Sequence, residues 1–220
     1  TIKAQSANIQ KAEGWFEETC RLYKKAFETQ ENYDTCFNLA YFLHEHKQYQ
    51  EVEFYYLRAL EHTQDTVQST NILNNLGVLH SDKNELAKAE DAYNEALKIY
   101  RELARGNQKA FLPDVAMTLN NLAVLHSDKN ELAKAEQAYN EALKIRRELA
   151  RGNPKAFLPD VAMTLNNLAV LHRAKNELAK AEQAYNEALK IRRELARVNP
   201  QAFELSLAET CINLGIFYLQ

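Results

Sequence analysis

The stretch NNLGVLHSDKNELAKAEDAYNEALKIYRELARGNQKAFLPDVAMTL, Asn74 to Leu119, decides the fold, because it recurs almost letter for letter as Asn120 to Leu165. The copies differ only at Gly77/Ala123, Asp91/Gln137, Tyr100/Arg146 and Gln108/Pro154. A third copy follows from Asn166 at the same 46-residue step, and Asn213-Leu214-Gly215 opens a fourth. A fixed period of this length marks a tandem array, whose units cannot bury their apolar faces alone and must stack. Such an array presents an extended surface and has no single buried cavity at its centre.

Inside the copy, Leu73, Leu76, Gly77 and His80 fall at i, i+3, i+4 and i+7, one face of a first helix, A. Ser81-Asp82-Lys83-Asn84 breaks the pattern, and Asn84 suits the left-handed backbone of a tight turn. From Glu85 a second helix, B, runs with Leu86, Ala89, Tyr93, Ala96 and Tyr100 as its buried stripe. Gly106-Asn107 closes helix B, and Pro113-Asp114 is expected to open the next A helix, since a first turn does not need the proline's missing N–H. Ala89 and Ala96 facing Gly77 let the two helices approach closely, and Tyr93 fills the space between them.

The wider composition agrees with helices throughout. Five Gly and four Pro in 220 residues leave few breakers, and no strand is expected. With 46% apolar and 26% charged residues and a net charge of −3, bulk charge favours neither nucleic acid nor an anionic membrane. No apolar run reaches the roughly 20 residues that span a bilayer. The chain opens at Thr1 and stops at Gln220 one helix into a unit, so its ends read as cut points. Cys20, Cys36 and Cys211 lie in distant units with no CxxC pair and no zinc-ligand spacing, so they read as reduced packing residues, which points to an intracellular setting. Cys36 and Cys211 stand where the central units carry the core leucines Leu73, Leu119 and Leu165.

The spacing Leu73-x2-Leu76-Gly77-x2-His80 followed by Ala89-x3-Tyr93 and Ala96 resembles the tetratricopeptide repeat signature, and it recurs from Leu119 and Leu165. A divergent unit precedes, with Cys36, Leu39, Ala40 and Leu43 on its A helix and Val52, Tyr56 and Ala59 on its B helix. The long period, Pro113-Asp114-Val115-Ala116, Leu119-Asn120-Asn121-Leu122-Ala123 and the divergent run Tyr49 to Tyr56 look like the kinesin light chain type of array, without implying transport. His80, His126 and His172 replace the family's Tyr, and the extra length is expected in longer B helices and in the Gly106 to Pro113 connection. The resemblance implies an all-α, right-handed α-solenoid of tandem antiparallel helix hairpins over 1–220. Its expected parts are a lone B-type helix at 5–29, where Lys11-Ala12-Glu13 and Phe16 match Lys134-Ala135-Glu136 and Tyr139, repeats at 33–62, 66–105, 113–151 and 159–197, and a lone A helix at 203–219.

An asparagine holds the same place in every A helix, at Asn38, Asn75, Asn121, Asn167 and Asn213. In such a solenoid the A helices line the concave groove, and the resemblance implies that these carboxamides hold the backbone of an extended peptide. A carboxamide both donates and accepts, so it serves any peptide sequence. Met117, Met163, Val124 and Val170 would give an adaptable apolar floor, while Asp82, Asp128, Asp34, Glu45 and Glu209 add negative charge. The face lacks the Lys or Arg of a carboxylate clamp, so the expected partner is a protein or peptide, extended, neutral or basic, with apolar anchors. A competing reading gives the asparagines a structural bond to a neighbouring helix.

Other chemistry is disfavoured. The three histidines lie one hairpin apart, too far to share a metal ion, and read as packing residues. The rows Lys98-Arg101-Arg105, Lys144-Arg147-Arg151 and Lys190-Arg193-Arg197 end the B helices, where positive charge complements the helix dipole, so a nucleic-acid partner ranks low. No phosphate loop, HExxH, GxSxG or acid–base pair is present, and near-identical units multiply the same residues instead of converging different ones, so neither catalysis nor a cofactor is expected. Self-association or a spacer role is the alternative, through Leu214, Ile216 and Tyr218 of the last helix.

Overall fold

The computed structural model describes residues 2–219, with side chains from Gly14 onward. It is all helix among the described residues: α1 (Ile2–Thr29), α2 (Tyr33–Glu45), α3 (Tyr49–Glu61), α4 (Thr66–Asp82), α5 (Leu86–Gly106), α6 (Gln108–Asp128), α7 (Leu132–Gly152), α8 (Pro154–Ala174), α9 (Leu178–Val198) and α10 (Pro200–Tyr218). They form two compact units, Thr1–Ala92 and Tyr93–Gln220, with α5 divided between them.

In the first unit α2 packs on both α1 and α3, and α3 packs on α4. Its core joins Cys36, Leu39 and Leu43 of α2, Val52, Tyr56 and Ala59 of α3, and Ile72, Leu76 and Leu79 of α4. Phe16, Cys20, Tyr23 and Phe27 of α1 cover that core from outside, the role expected of a B-type helix. The side chains of Lys11, Ala12 and Glu13, which entered that reading, lie outside the described residues. In the second unit consecutive helices from α6 to α10 pack pairwise. Ala123, Ala135 and Ala188 are fully buried among Tyr139, Tyr185, Leu165 and Leu168. Small residues sit where helices meet, and the tyrosines fill what remains.

The turns inside hairpins follow from one asparagine each. Asn84, Asn130 and Asn176 have φ of 59°, 58° and 60°, and Lys47 takes the same conformation in the divergent unit at 58°. Asparagine tolerates this left-handed backbone better than residues with bulkier side chains. The next residue then donates back into the finished helix, Glu131 N–H to the carbonyl of His126 at 2.7 Å.

The connections between hairpins differ from expectation. The A helix expected from Pro113 begins at Gln108, so Pro113 lies inside α6 and Pro159 lies inside α8. The linker is one residue. Asn153 ends α7 by donating its backbone N–H to Leu149, while its side chain accepts from Ala156 N–H at 3.3 Å and starts α8. Asn107 and Asn199 cap α6 and α10 in the same way. A residue that caps both helices removes the need for a loop, so the extra length of the period is helix on both arms. Pro154 and Pro200 occupy the first turns that suit them.

Burial corrects three further readings. Leu73 is only half-buried, although Leu119 and Leu165 are 3% exposed. Cys211 is exposed, because no helix among the described residues covers that side of α10. Leu214, expected to be open, is half-buried against the core of the second unit.

Close helix approach gives a first prediction. Ala142 is fully buried in α7, so Ala142→Leu should force α6 and α7 apart and cost ~1–3 kcal/mol. Urea denaturation measures it, and an unchanged midpoint would show that this residue is not at a helix contact.

Candidate functional site

The two units present the asparagine row separately. In the second, α6 carries Met117, Asn121, Val124 and Asp128 at i, i+4, i+7 and i+11, and α8 repeats the row as Met163, Asn167, Val170 and Ala174. The Met and Val side chains are 36–38% exposed, and the two asparagines between them are half-buried. Such rows offer an apolar surface broken by one carboxamide per repeat. Asp128 is exposed at the end of its row.

The bonding of neighbouring amides separates function from structure. Asn120 is buried and accepts from Arg146 at 3.4 Å. Asn166 accepts from Asn213 at 3.3 Å, so the last member of the row is engaged inside the unit. Asn121 and Asn167 make no side-chain hydrogen bond among the described residues. In the first unit Asn38 is exposed on α2 and Asn75 is half-buried on α4. Asp82 is held by His44 at 3.2 Å and by the Tyr49 hydroxyl at 3.3 Å.

The histidines do more than pack. His80, His126 and His172 are 7–8% exposed, and each Nδ1 lies 2.7–2.8 Å from Glu85, Glu131 or Glu177 across the hairpin turn. In the second unit Glu136 joins His172 and Glu177 in one cluster. A metal could be imagined there, but the Lys175 ammonium already bonds both carboxylates, Glu177 at 2.8 Å, and acts as the cation. The cluster ties α7 to the α8–α9 turn. Lys175, Lys180 and His172 hold the Glu177 carboxyl down to about 2, and Glu131 is likewise held at about 2 by Lys134, Lys129 and His126.

These depressed carboxyls set a pH dependence. A group ionised more readily in the folded chain contributes stability above its unfolded value, here 4.5, and that contribution disappears as pH falls from there to about 2. The melting temperature of the wild type should therefore fall more steeply over that acid window than that of Glu177→Gln. Parallel curves would refute the role of the pair.

The basic rows are partly consumed by neighbours. Arg101 bonds Glu141 at 2.7 Å, and Arg147 bonds Glu187 at 2.6 Å, each joining successive B helices. This pairing lowers the charge available to a phosphate backbone. A cleft of about 640 Å³ at the Asn153 linker is lined by Gln108, Lys109, Leu112, Glu148 and Phe157, a set without a nucleophile–base pair. No helix among the described residues is long and apolar enough to cross a membrane.

Arg146 and Arg192 escaped the sequence reading. Arg146 is 4% exposed in α7 and donates through Nη1 to Thr164 Oγ1 at 2.5 Å and the Asp160 carbonyl at 3.2 Å. Arg192 repeats this with Thr210 at 2.6 Å and the Ser206 carbonyl at 2.5 Å. Burial pulls both guanidinium pKa values down, opposed by Asp160 and Glu209. The signal was present in the sequence, since Arg146 stands where Tyr100 completes a buried stripe.

Comparison with known proteins agrees with this architecture. A family model, MalT-like TPR region, matches residues 38–216. Among solved structures, BtubC (BKLC) from P. vanneervenii superposes with a TM-score of 0.71 at 25% identity, covering 93% of this chain and 81% of that one. MamA gives 0.61 at 18% identity over 86% and 95% of the two chains. The apo form of RapI gives 0.68 at 18% over 84% and 62%. Curated proteins yield no match. Arrays of this kind are in general protein-interaction scaffolds. The chain belongs to the MalT-like tetratricopeptide repeat family.

Proposed function

We propose that the chain is a scaffold that binds an extended peptide along its A helices, with Asn121 and Asn167 holding the peptide backbone. One observation carries this reading. Asn120, Asn166 and Asn213 are each engaged in a bond inside the fold, whereas among the described residues Asn121 and Asn167 have no side-chain partner and sit between half-exposed Met and Val side chains. A carboxamide at such a half-buried place has donor and acceptor atoms within reach of a ligand's backbone. Met117, Met163, Val124 and Val170 would seat apolar anchors, and Asp128, with Asp82 on the first unit, favours a neutral or basic partner.

The test is to select random-sequence peptides on the immobilised chain and titrate the winners against wild type and Asn121→Ala/Asn167→Ala. At ~0.5–1.5 kcal/mol per hydrogen bond, losing both carboxamides should weaken binding about tenfold or more, with the melting temperature changed by only a few degrees. Unchanged affinity, or winners rich in Asp and Glu, would overturn the proposal. Collapse of the double variant's fold would return the asparagines to a structural role.

A second reading, self-association, is favoured by α10. Leu205, Ile212, Ile216 and Leu219 are 76%, 61%, 43% and 89% exposed, a patch of the kind that marks interaction surfaces. Concentration-independent monomers in sedimentation would exclude it.

A further inference from the structure

The first unit carries a feature absent from the other repeats. On α2, Tyr33, Phe37 and Tyr41 follow at i, i+4 and i+8, and their rings stack. Centroids are 5.5 Å apart for Tyr33–Phe37 and 6.3 Å for Phe37–Tyr41, with interplanar angles of 17° and 12°. Tyr56 of α3 braces Phe37 from behind at 5.9 Å. Tyr41 leaves 49% of its surface in solvent. At the matching positions the next repeat has Thr70, Asn74 and Val78, and the one after has Ala116, Asn120 and Val124. The row is therefore a property of the divergent repeat and not of the fold.

The surroundings of this row are anionic. Asp34 and Glu45 are exposed near its two ends on the same helix. Asp65 caps α4, and Asp82 ends it. Neither α2 nor α4 contains a Lys or Arg. Three of the cations nearby are committed elsewhere, Lys24 to Glu51 at 2.6 Å, Lys83 to Glu53 at 3.1 Å, and Arg58 to Glu31 and Glu61, while Lys47 is exposed in the turn after Glu45. Asp34 and Glu45 have no ion-pair partner among the described residues. Their field reaches the rings. Burial first, then Asp34 and Asp65, push the Tyr33 phenol up, and burial, Tyr41 and Glu45 do the same to Tyr56.

We propose that the Tyr33–Phe37–Tyr41 face of α2, flanked by Asp34 and Glu45, is a docking site for an arginine side chain of a partner peptide. A cation is attracted to the face of an aromatic ring, and carboxylates at the edge of the row supply the charge that stacking alone lacks. Arginine fits better than lysine because its planar, weakly hydrated guanidinium can stack on a ring and bond a carboxylate at once. This rests on the peptide-scaffold reading and deepens it, but it uses residues of the other unit, so the two can fail separately.

The experiment titrates the chain by NMR with an unstructured Gly-Ser peptide bearing two arginines, and with its Lys, Gln and Glu versions. Wild type should bind Arg more tightly than Lys, and Lys more tightly than Gln, with shifts at the Tyr33, Phe37 and Tyr41 ring signals. Asp34→Asn/Glu45→Gln should weaken the Arg peptide about tenfold and leave the Gln peptide unchanged. Tyr41→Phe should keep the Arg preference, and Tyr41→Ala should lose it. Tyr41 is half-exposed, so an unchanged melting temperature for the alanine variant verifies that the fold persists. Equal binding of Arg and Gln peptides, no binding at all, or an Arg preference surviving Asp34→Asn/Glu45→Gln would each overturn the site. A concentration-dependent dimer abolished by Tyr41→Ala would overturn it too, by showing a second copy on this face. Arg preference intact in Asn121→Ala/Asn167→Ala, with those asparagines proving irrelevant to every peptide, would leave this site standing while the asparagine proposal fell.

Discussion

Arg146→Ala is expected to cost ~3–5 kcal/mol, whereas Arg146→Tyr should stay within about 1 kcal/mol of wild type. Alanine leaves a cavity and removes the donor from three acceptors, Thr164 Oγ1, the Asp160 carbonyl and Asn120 Oδ1. The Thr164 hydroxyl still donates to the Asp160 carbonyl at 3.0 Å, but buried polar atoms that lose a donor lack the hydration that would otherwise compensate them. Tyrosine is different because the chain already contains that replacement. Tyr100 occupies the matching position in α5 and is fully buried, and the residues of the same unit at the matching places are the same types, Asp114 for Asp160 and Thr118 for Thr164. A buried charge whose hydrogen bonds all go to neutral acceptors, with the Asp160 carboxylate only partly offsetting its burial, gives up hydration to enter the core, so an uncharged residue of similar size gives up less on folding. Urea denaturation of the two variants decides it. Equal losses would mean that the guanidinium's own bonds are irreplaceable, and no loss in Arg146→Ala would mean that the site is solvated.

The same position shows what the sequence revealed and what it hid. The period, the helix pairs and the asparagine turns were legible because each rests on a local rule repeated at every copy. Asn84, Asn130 and Asn176 all take the left-handed backbone that their type suggests. Pro113 misled because a proline usually marks a helix start, whereas the start here belongs to Asn107, whose side chain caps from one residue before α6. Capping by Asn107 is a local signal too, but the proline's pattern is the stronger one on paper. The burial of Arg146 was legible from its place in the stripe, but its bonds, the His172–Glu177 pair and the Glu136–Lys175 pair were hidden for a different reason. Their partners lie on neighbouring helices or across a turn, and hydrophobic periodicity carries no information about which polar groups meet. Met117 and Val124 are exposed, with Asn121 half-buried between them, on a helical face that the spacing showed to be distinct from the core stripe. Asn213 bonds Asn166, whereas Asn167 makes no side-chain hydrogen bond among the described residues, and helical spacing alone does not tell such neighbours apart.

Leu168→Ala should cost ~2–5 kcal/mol and Leu214→Ala about 1 kcal/mol, although the two leucines hold the same place in successive repeats. Leu168 is 3% exposed within the core of the second unit, and Leu214 only leans against that core. The difference comes from α8 having a hairpin partner, α9, on the side where α10 has none among the described residues. Neighbouring positions report the same thing. Ala169 is fully buried, while a methyl group placed at Gly215, its counterpart in α10, would meet nothing within 4 Å. In a stack of repeats the energy of a side chain belongs to the interface between elements and not to the element that carries it. Denaturation midpoints of the two variants measure that division directly. Equal costs would mean that α10 is covered in solution, by a second copy on Leu205, Ile212 and Ile216, and sedimentation of the same samples would then show the dimer.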